Sequence, residues 1–317
     1  MKALQVKNGQ VFLANVPIPE RESEVVVRVI KSGICNTDLE IARGYAGFSG
    51  TIGHEFVGVV ESAGSDDLTG KRVVGEINAG CGKCDLCLAG DPRHCPTRTV
   101  LGIHGRDGAH AEFLTLPLRN LIMVPENVSD RSAVFAEPLA AAYGIGELVD
   151  VGADTRVAVI GDGKLGLLCA MTMRLRAESV LLVGKHPEKM SIVQKLGIET
   201  LLLEKETYPL KSFDVVIESS GSESGFATAL DLVRPRGKLV LKSTFHGVSN
   251  WDTSRIVVDE ISVIGSRCGR LAPAIDLLAS NKVNVENLIS EEYRLENGVD
   301  ALERAGQRGV LKVLLKP

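Results

Sequence analysis

Along the first 125 residues the apolar positions fall in short β-branched runs divided by turn signals. Val25-Val26-Val27-Arg28-Val29-Ile30 and Phe56-Val57-Gly58-Val59-Val60 read as strands. Asn8-Gly9, Pro17-Ile18-Pro19 and Leu68-Thr69-Gly70 read as the turns between such strands. No strong helical period appears before residue 130, so this stretch predicts an antiparallel β or α+β unit. Beyond it, strands alternate with helical runs. The strands are Arg156–Ile160, Val180–Val183, Phe213–Ile217, Lys238–Leu241 and Ile261–Ile264; the helices cover Leu139–Val149, Leu165–Arg176 and Pro187–Leu196. That alternation predicts a doubly wound parallel sheet, an α/β architecture. In the tail, Ala272–Asn281 reads as helix and Val310–Leu315 as an apolar strand. This last strand fits either an extension of the parallel sheet or a crossing back to the first unit.

The length of 317 residues agrees with two domains at about 150 residues each. Apolar residues make up 44% and charged residues 24%, enough for a sizeable core and against disorder. A net charge of −4 gives no electrostatic reason to bind nucleic acid or an anionic membrane. No apolar run reaches the roughly 18 residues needed to span a bilayer, and the start, MKALQVKNGQ, lacks the apolar stretch of a secretion signal, which predicts a cytoplasmic protein. Two counts change the picture. Gly occurs 33 times and Cys 7 times, and an odd, clustered cysteine set in such a compartment points to metal ligation or catalysis, not disulfides.

The strand ending at Ile160 runs into Gly161-Asp162-Gly163-Lys164-Leu165-Gly166 and then a helix. G-x-G-x-x-G in that strand–turn–helix setting is a dinucleotide-binding turn: Gly161 for the tight turn, Gly163 for close approach of a pyrophosphate, Gly166 for helix–strand packing, with Lys164 and Leu165 opening the helix. The second strand of such a unit often ends in Asp or Glu, which accepts from the ribose 2′-hydroxyl of NAD. Here Val183 is followed by Gly184-Lys185-His186. Gly184 leaves room for a 2′-phosphate and Lys185, with His186, supplies positive charge, so NADP(H) is expected over NAD(H).

Cys81, Cys84, Cys87 and Cys95 form C-x2-C-x2-C-x7-C. Four thiolates at this spacing fit a closed tetrahedral zinc site; an iron–sulfur run would have three residues before its last cysteine and a second cysteine set. A closed site braces a loop but has no open position for substrate. Cys169 and Cys268, in apolar segments, read as core thiols. Cys35, His54-Glu55 and Glu137 are scattered, and spacing alone does not join them.

Taken together, Gly33-Ile34-Cys35-Asn36-Thr37-Asp38, Gly53-His54-Glu55-Phe56-Val57-Gly58, the four-cysteine lobe, Glu137-Pro138-Leu139, the glycine turn and Val216-Ile217-Glu218-Ser219-Ser220-Gly221 resemble the zinc-containing medium-chain dehydrogenase/reductase family. The resemblance covers essentially the whole chain. It implies a GroES-like catalytic domain over 1–127 carrying a structural zinc lobe at 81–95, a Rossmann domain over 128–270, and a return of 271–317 to the catalytic domain. It further implies two zinc ions per chain. Cys35, His54 and Glu137 would hold the catalytic one, Glu55 would be an acid able to exchange onto the metal, and Thr37 the hydroxyl that passes the substrate proton. The relay in the family often continues to a His in the next helical turn; Glu40 stands there. Arg267 is a candidate for the pyrophosphate, and His104, Arg106 and His110 for the substrate.

The expected activity is hydride transfer between a primary or secondary alcohol (simple, or polyol- and sugar-like) and NADP, with carbonyl reduction in reverse. Rival readings are a threonine-dehydrogenase-like oxidation of an amino alcohol with NAD, and a non-catalytic NADP(H) sensor on the same fold. The resemblance also implies a homodimer or homotetramer through the edge strand near Ile261–Ile264.

Overall fold

The computed structural model describes residues 1–20, 24–62, 68–203, 209–244 and 252–317. The chain divides into two compact units, Met1–Glu137 with Leu271–Pro317, and Pro138–Arg270. The first boundary falls about ten residues later than the change of pattern at 127 implies. The reason is local: the short helix Asp130–Ala133 is tied to the first unit, where Arg72 donates to the Asp130 carboxylate at 2.8 Å and to the Val128 carbonyl at 3.0 Å.

The first unit is built on a seven-stranded sheet. Its spine is β1 (Glu24–Gly33), paired antiparallel on one side with β2 (Glu55–Ser62) and on the other with the C-terminal strand Lys312–Lys316. The tail strand therefore crosses back to the first unit. Alternation along β1 sends Val25, Val27 and Val29 into a core with Phe56, Val60 and Leu114. A second core joins Ile34, Ile41 and Ile52 to Leu295, Leu302, Val313 and Leu315, so the two separated segments share one interior. Contrary to the expectation of no helix before residue 130, β1 leads into α1 (Asn36–Ala42). At seven residues it is too short to show a period, and its cap forms it: the Asp38 carboxylate accepts the Cys35 N–H at 2.8 Å.

The second unit is a six-stranded parallel sheet in the order Glu199–Leu202, Ser179–Gly184, Arg156–Ile160, Phe213–Glu218, Val233–Leu241, Ser262–Gly265. This is the doubly wound order in which the first strand sits centrally and dinucleotides bind at the carboxyl ends. Strand β3 (Arg156–Ile160) passes through the glycine turn into α2 (Lys164–Arg174), which buries most of its length, including Leu167, Leu168 and Cys169. Strand β4 (Ser179–Gly184) follows. Among the described residues no helix is long and apolar enough to cross a membrane.

Candidate active site

Within the first unit, α1 and the start of β2 bring three ligand-type groups together. One ligand atom each from Cys35, His54 and Glu55 lies within 4.8 Å of the others. Cys35 is the N-cap of α1, and His54-Glu55 leads into β2, which pairs with β1 at Gly33 and Glu55. Glu137 is outside this cluster. The acid that meets this distance is Glu55, which follows His54 directly at the start of β2.

Asp38 organises the site from beneath. It is fully buried, its Oδ1 accepting the Gly53 N–H at 3.2 Å and lying 3.3 Å from His54 Nδ1. The contact is one of charge, since His54 Nδ1 is buried without a hydrogen-bond partner among the described residues. Burial works against charge on both groups, but their mutual attraction outweighs it. The Asp38 carboxyl is held well below the usual range, and His54, with Cys35 also beside it, is held above its ordinary value. Glu55 is almost fully buried; Lys312 Nζ takes its Oε2, while Oε1 has no hydrogen-bond partner among the described residues. A buried carboxylate oxygen without a donor, facing a thiol and an imidazole, is the donor set a zinc ion accepts. The Thr37 hydroxyl lies 3.7 Å from Cys35 Sγ. Glu40 is paired with Arg43 at 2.8 Å.

The second cluster is the lobe, where Cys81, Cys84, Cys87 and Cys95 also converge within 4.8 Å. The Cys81 N–H and the Thr97 hydroxyl hold the Cys95 thiol down at about 6, which favours the thiolate that a metal needs. Cys169 is buried in α2 and its thiol is pushed up to about 12 by burial, as a core filler; Cys268 is only partly buried.

Two of the candidate substrate contacts have structural duties instead. Arg106 is buried against Glu24 at 2.7 Å and the Thr115 carbonyl at 3.0 Å. His110 is fully buried, its Nδ1 2.8 Å from Ser32 Oγ and its Nε2 3.5 Å from Asp38. His104 lies in a turn, where its N–H and carbonyl both pair with Val100.

In the second unit, Gly161 has φ +113°, a value for which side chains are disfavoured, and a Cβ on Gly166 would overlap the Gly161 carbonyl oxygen. Gly163 caps α2, with Lys164 and Leu165 in its first turn. This is the geometry of a pyrophosphate-binding helix N-terminus. The Arg267 carbonyl accepts from Lys242 Nζ at 2.8 Å, and Arg267 itself is exposed at the end of the last strand.

At the end of β4 the structure departs from the sequence expectation. The space beside Gly184 holds the Asp162 carboxylate, which accepts the backbone N–H groups of Lys185 and His186, each at 2.7 Å, and lies 3.1 Å from His186 Nδ1. Of the groups expected to receive a 2′-phosphate, Gly184 and His186 are committed to Asp162, and Lys185 presents an exposed side chain.

Asp38, Lys312 and Asp162 are the site residues that sequence reasoning missed. Asp38 had a local signal, an acid three residues after the Cys35 cap. Lys312 was visible only as a single charge in the apolar run Val310–Leu315.

A sheet-based unit with a Cys–His–Glu cluster, in one chain with a doubly wound unit carrying a glycine-rich turn, defines a metal- and dinucleotide-dependent oxidoreductase. Residues 21–126 match the alcohol dehydrogenase GroES-like domain family and residues 165–280 the zinc-binding dehydrogenase family. The chain is 29% identical to sorbitol dehydrogenase of Halalkalibacterium halodurans over 100% of its own length and 99% of that protein's. It is 30% identical to L-threonine 3-dehydrogenase of Bacillus subtilis, again over 100% and 99%. Among solved structures, a putative zinc-binding dehydrogenase from Sinorhizobium meliloti, bound to NADP, superimposes with a TM-score of 0.90 at 29% identity, covering 100% and 99% of the two chains. The chain belongs to the zinc-containing medium-chain dehydrogenase/reductase family, and is an alcohol oxidoreductase of that family.

Proposed function

We propose that the protein is a zinc-dependent dehydrogenase that oxidises a primary or secondary hydroxyl of a simple or polyol- and sugar-like alcohol, and reduces the carbonyl in reverse. The observation that carries this reading is the convergence of half-buried Cys35 with buried His54 and Glu55, with Glu55 Oε1 lacking a donor among the described residues. Cys35 Sγ, a ring nitrogen of His54 and the carboxylates of Glu137 and Glu55, the latter able to exchange onto the metal, would hold the catalytic zinc, and Cys81, Cys84, Cys87 and Cys95 a structural one. Bound there, zinc supplies a Lewis acid to the substrate oxygen, and a nicotinamide dinucleotide supplies the hydride acceptor.

The rest of the work falls to this chain. Asp38, 3.3 Å from His54 Nδ1, holds the imidazole at the cluster by charge attraction. Lys312 balances the charge of Glu55 by donating to its Oε2. Thr37 Oγ1, beside Cys35, is the group placed to take the hydroxyl proton. Burial of His54, Glu55 and Lys312 limits water at the ligand set. Gly161, Gly163 and Gly166 let the pyrophosphate approach the N-terminus of α2. The nucleotide is a nicotinamide dinucleotide; the charge of Lys185 and the NADP of the Sinorhizobium relative favour NADP(H), whereas the Asp162 carboxylate, which holds the neighbouring backbone donors, favours NAD(H). Asp162 opposes further negative charge at that corner.

The polyol relative supports a polyhydroxy substrate, and the threonine dehydrogenase keeps amino alcohols in view. A cytoplasmic homodimer or homotetramer joined through Ser262–Gly265 completes the proposal. The test combines metal analysis with a panel of alcohols, polyols, aldoses and amino alcohols assayed with NAD and NADP. Two zinc ions per chain and turnover of a hydroxyl substrate are expected. One ion per chain without turnover of any member would favour a non-catalytic dinucleotide sensor.

A further inference from the structure

The end of β4 carries no acid of its own, yet a carboxylate stands there. Asp162 reaches across from the glycine turn, and an ideal Cβ on Gly184 would lie 2.7 Å from its Oδ2 and 2.8 Å from its Cβ. The glycine that the sequence offers as space for a phosphate is the glycine that admits Asp162. Asp162 is 7% exposed. Burial works against its charge, but the N–H groups of Lys185 and His186 and the His186 ring hold the carboxyl below the usual range.

We propose that Asp162 supplies, from the first turn, the ribose-reading carboxylate that the second strand lacks, and that it thereby selects NAD(H) against NADP(H). The proposal rests on the dinucleotide reading above and concerns which member of that class is taken.

Two consequences of the geometry support it. Backbone N–H groups at the end of the second strand are suitable donors for a 2′-phosphate, and here those of Lys185 and His186 both end on Asp162 Oδ2. A phosphate at this corner would therefore meet committed donors and a like charge with little water between them. A hydroxyl meets the opposite situation. A carboxylate has roughly four lone-pair sites, and Asp162 Oδ1 carries only the His186 contact among the described residues. It retains acceptor capacity for an O–H donor. The exposed charge of Lys185, one residue beyond Gly184, is screened by solvent and acts more weakly than the fixed carboxylate.

Direct binding tests this without turnover. NADH and NADPH are titrated separately into the full-length protein, and binding is followed by nucleotide fluorescence. The wild type is expected to hold NADH at least about ten-fold more tightly than NADPH. In Asp162→Asn, folded by its melting curve, that ratio is expected to shrink by about ten-fold, mainly through tighter NADPH binding. Lys185→Ala tests the rival reading, in which the Lys185 ammonium holds a 2′-phosphate: that reading requires a loss of NADPH affinity of more than about three-fold at unchanged NADH affinity. NADPH bound as tightly as NADH by the wild type would overturn the proposal. So would an unchanged ratio in a folded Asp162→Asn, or a selective loss of NADPH binding in Lys185→Ala, which remains decisive if Asp162→Asn does not fold. Binding of neither nucleotide would instead remove the dinucleotide reading on which the proposal stands.

Discussion

Lys312 and Glu55 lie 257 positions apart in sequence and meet as a buried ion pair, each side chain 1% exposed. Burial works against the ammonium charge, but Glu55 and the neighbouring Cys35 and Asp38 more than compensate and raise the Lys312 pKa. Lys312 also donates to the Ile34 carbonyl at 3.3 Å, next to the Cys35 cap. Removing one partner of a buried pair leaves the other charge uncompensated, which costs about 3–5 kcal/mol. Lys312→Met is therefore expected to destabilise the metal-free protein by that amount in urea unfolding, and Lys312→Arg by less. A Met variant as stable as the wild type would show that Glu55 is neutral in the folded chain.

At the ligand cluster, Cys35→Ser and His54→Ala are each expected to remove about one zinc ion per chain. They should also lower kcat/KM by roughly a thousand-fold or more, since the metal's charge stabilisation amounts to several kcal/mol. NADH binding should persist, because the glycine turn belongs to the other unit. Metal analysis and fluorescence titration check the two halves of this expectation separately.

The hydroxyl of Thr37 is a matter of proton transfer, not of ligation. Thr37→Val, nearly equal in volume, is expected to keep both zinc ions and the melting temperature. It should lower kcat by about a hundred-fold or more. A kcat unchanged across the pH range would assign the proton to another route.

The cysteine lobe should answer in stability. Cys84→Ser is expected to lower the zinc content by about one ion and the melting temperature by about 5 °C or more, with a smaller effect on KM. A chelator that strips only this ion should reproduce the shift in the wild type.

For the second unit, the contact between Gly166 and the Gly161 carbonyl leaves no room for a methyl group. Gly166→Ala is expected to cost about 1–3 kcal/mol through forced backbone movement and to weaken both NADH and NADPH. Calorimetry and titration together distinguish this uniform loss from the selective one expected at Asp162.

How much of this was legible in the sequence follows from how local each feature is. The parallel strands could be read from apolar runs because both faces of such a sheet are covered, and β3 in particular spans the residues its pattern implies. The glycine turn and the lobe could be read because each is one short segment whose spacing is its geometry. The helix α1 was missed because seven residues carry no period and its cap includes a cysteine. Glu55 and Glu137 could not be ranked as partners of Cys35, since nothing in the order of residues says which of two acids approaches a thiol in space. Gly184 misled for the same reason: an absent side chain reads as empty space until the neighbour that fills it is known. Asp162 is 22 residues earlier and, in sequence, only the variable position of a motif.

The first unit is written in two instalments, with the second unit between them, and the strand Lys312–Lys316 lies beside β1 in the finished sheet. A ribosome therefore releases Cys35, His54 and Glu55 long before it releases the ammonium group that balances Glu55. Until then the Ser32–Gly33 end of β1 lacks its strand partner and Glu55 has no buried counter-charge, so the emerging chain holds the Cys35–His54–Glu55 pocket in an unfinished form. The Rossmann unit, being continuous, has no such wait. Completion of the Cys35–His54–Glu55 pocket thus waits on Lys312, a residue outside the pocket's own donor set.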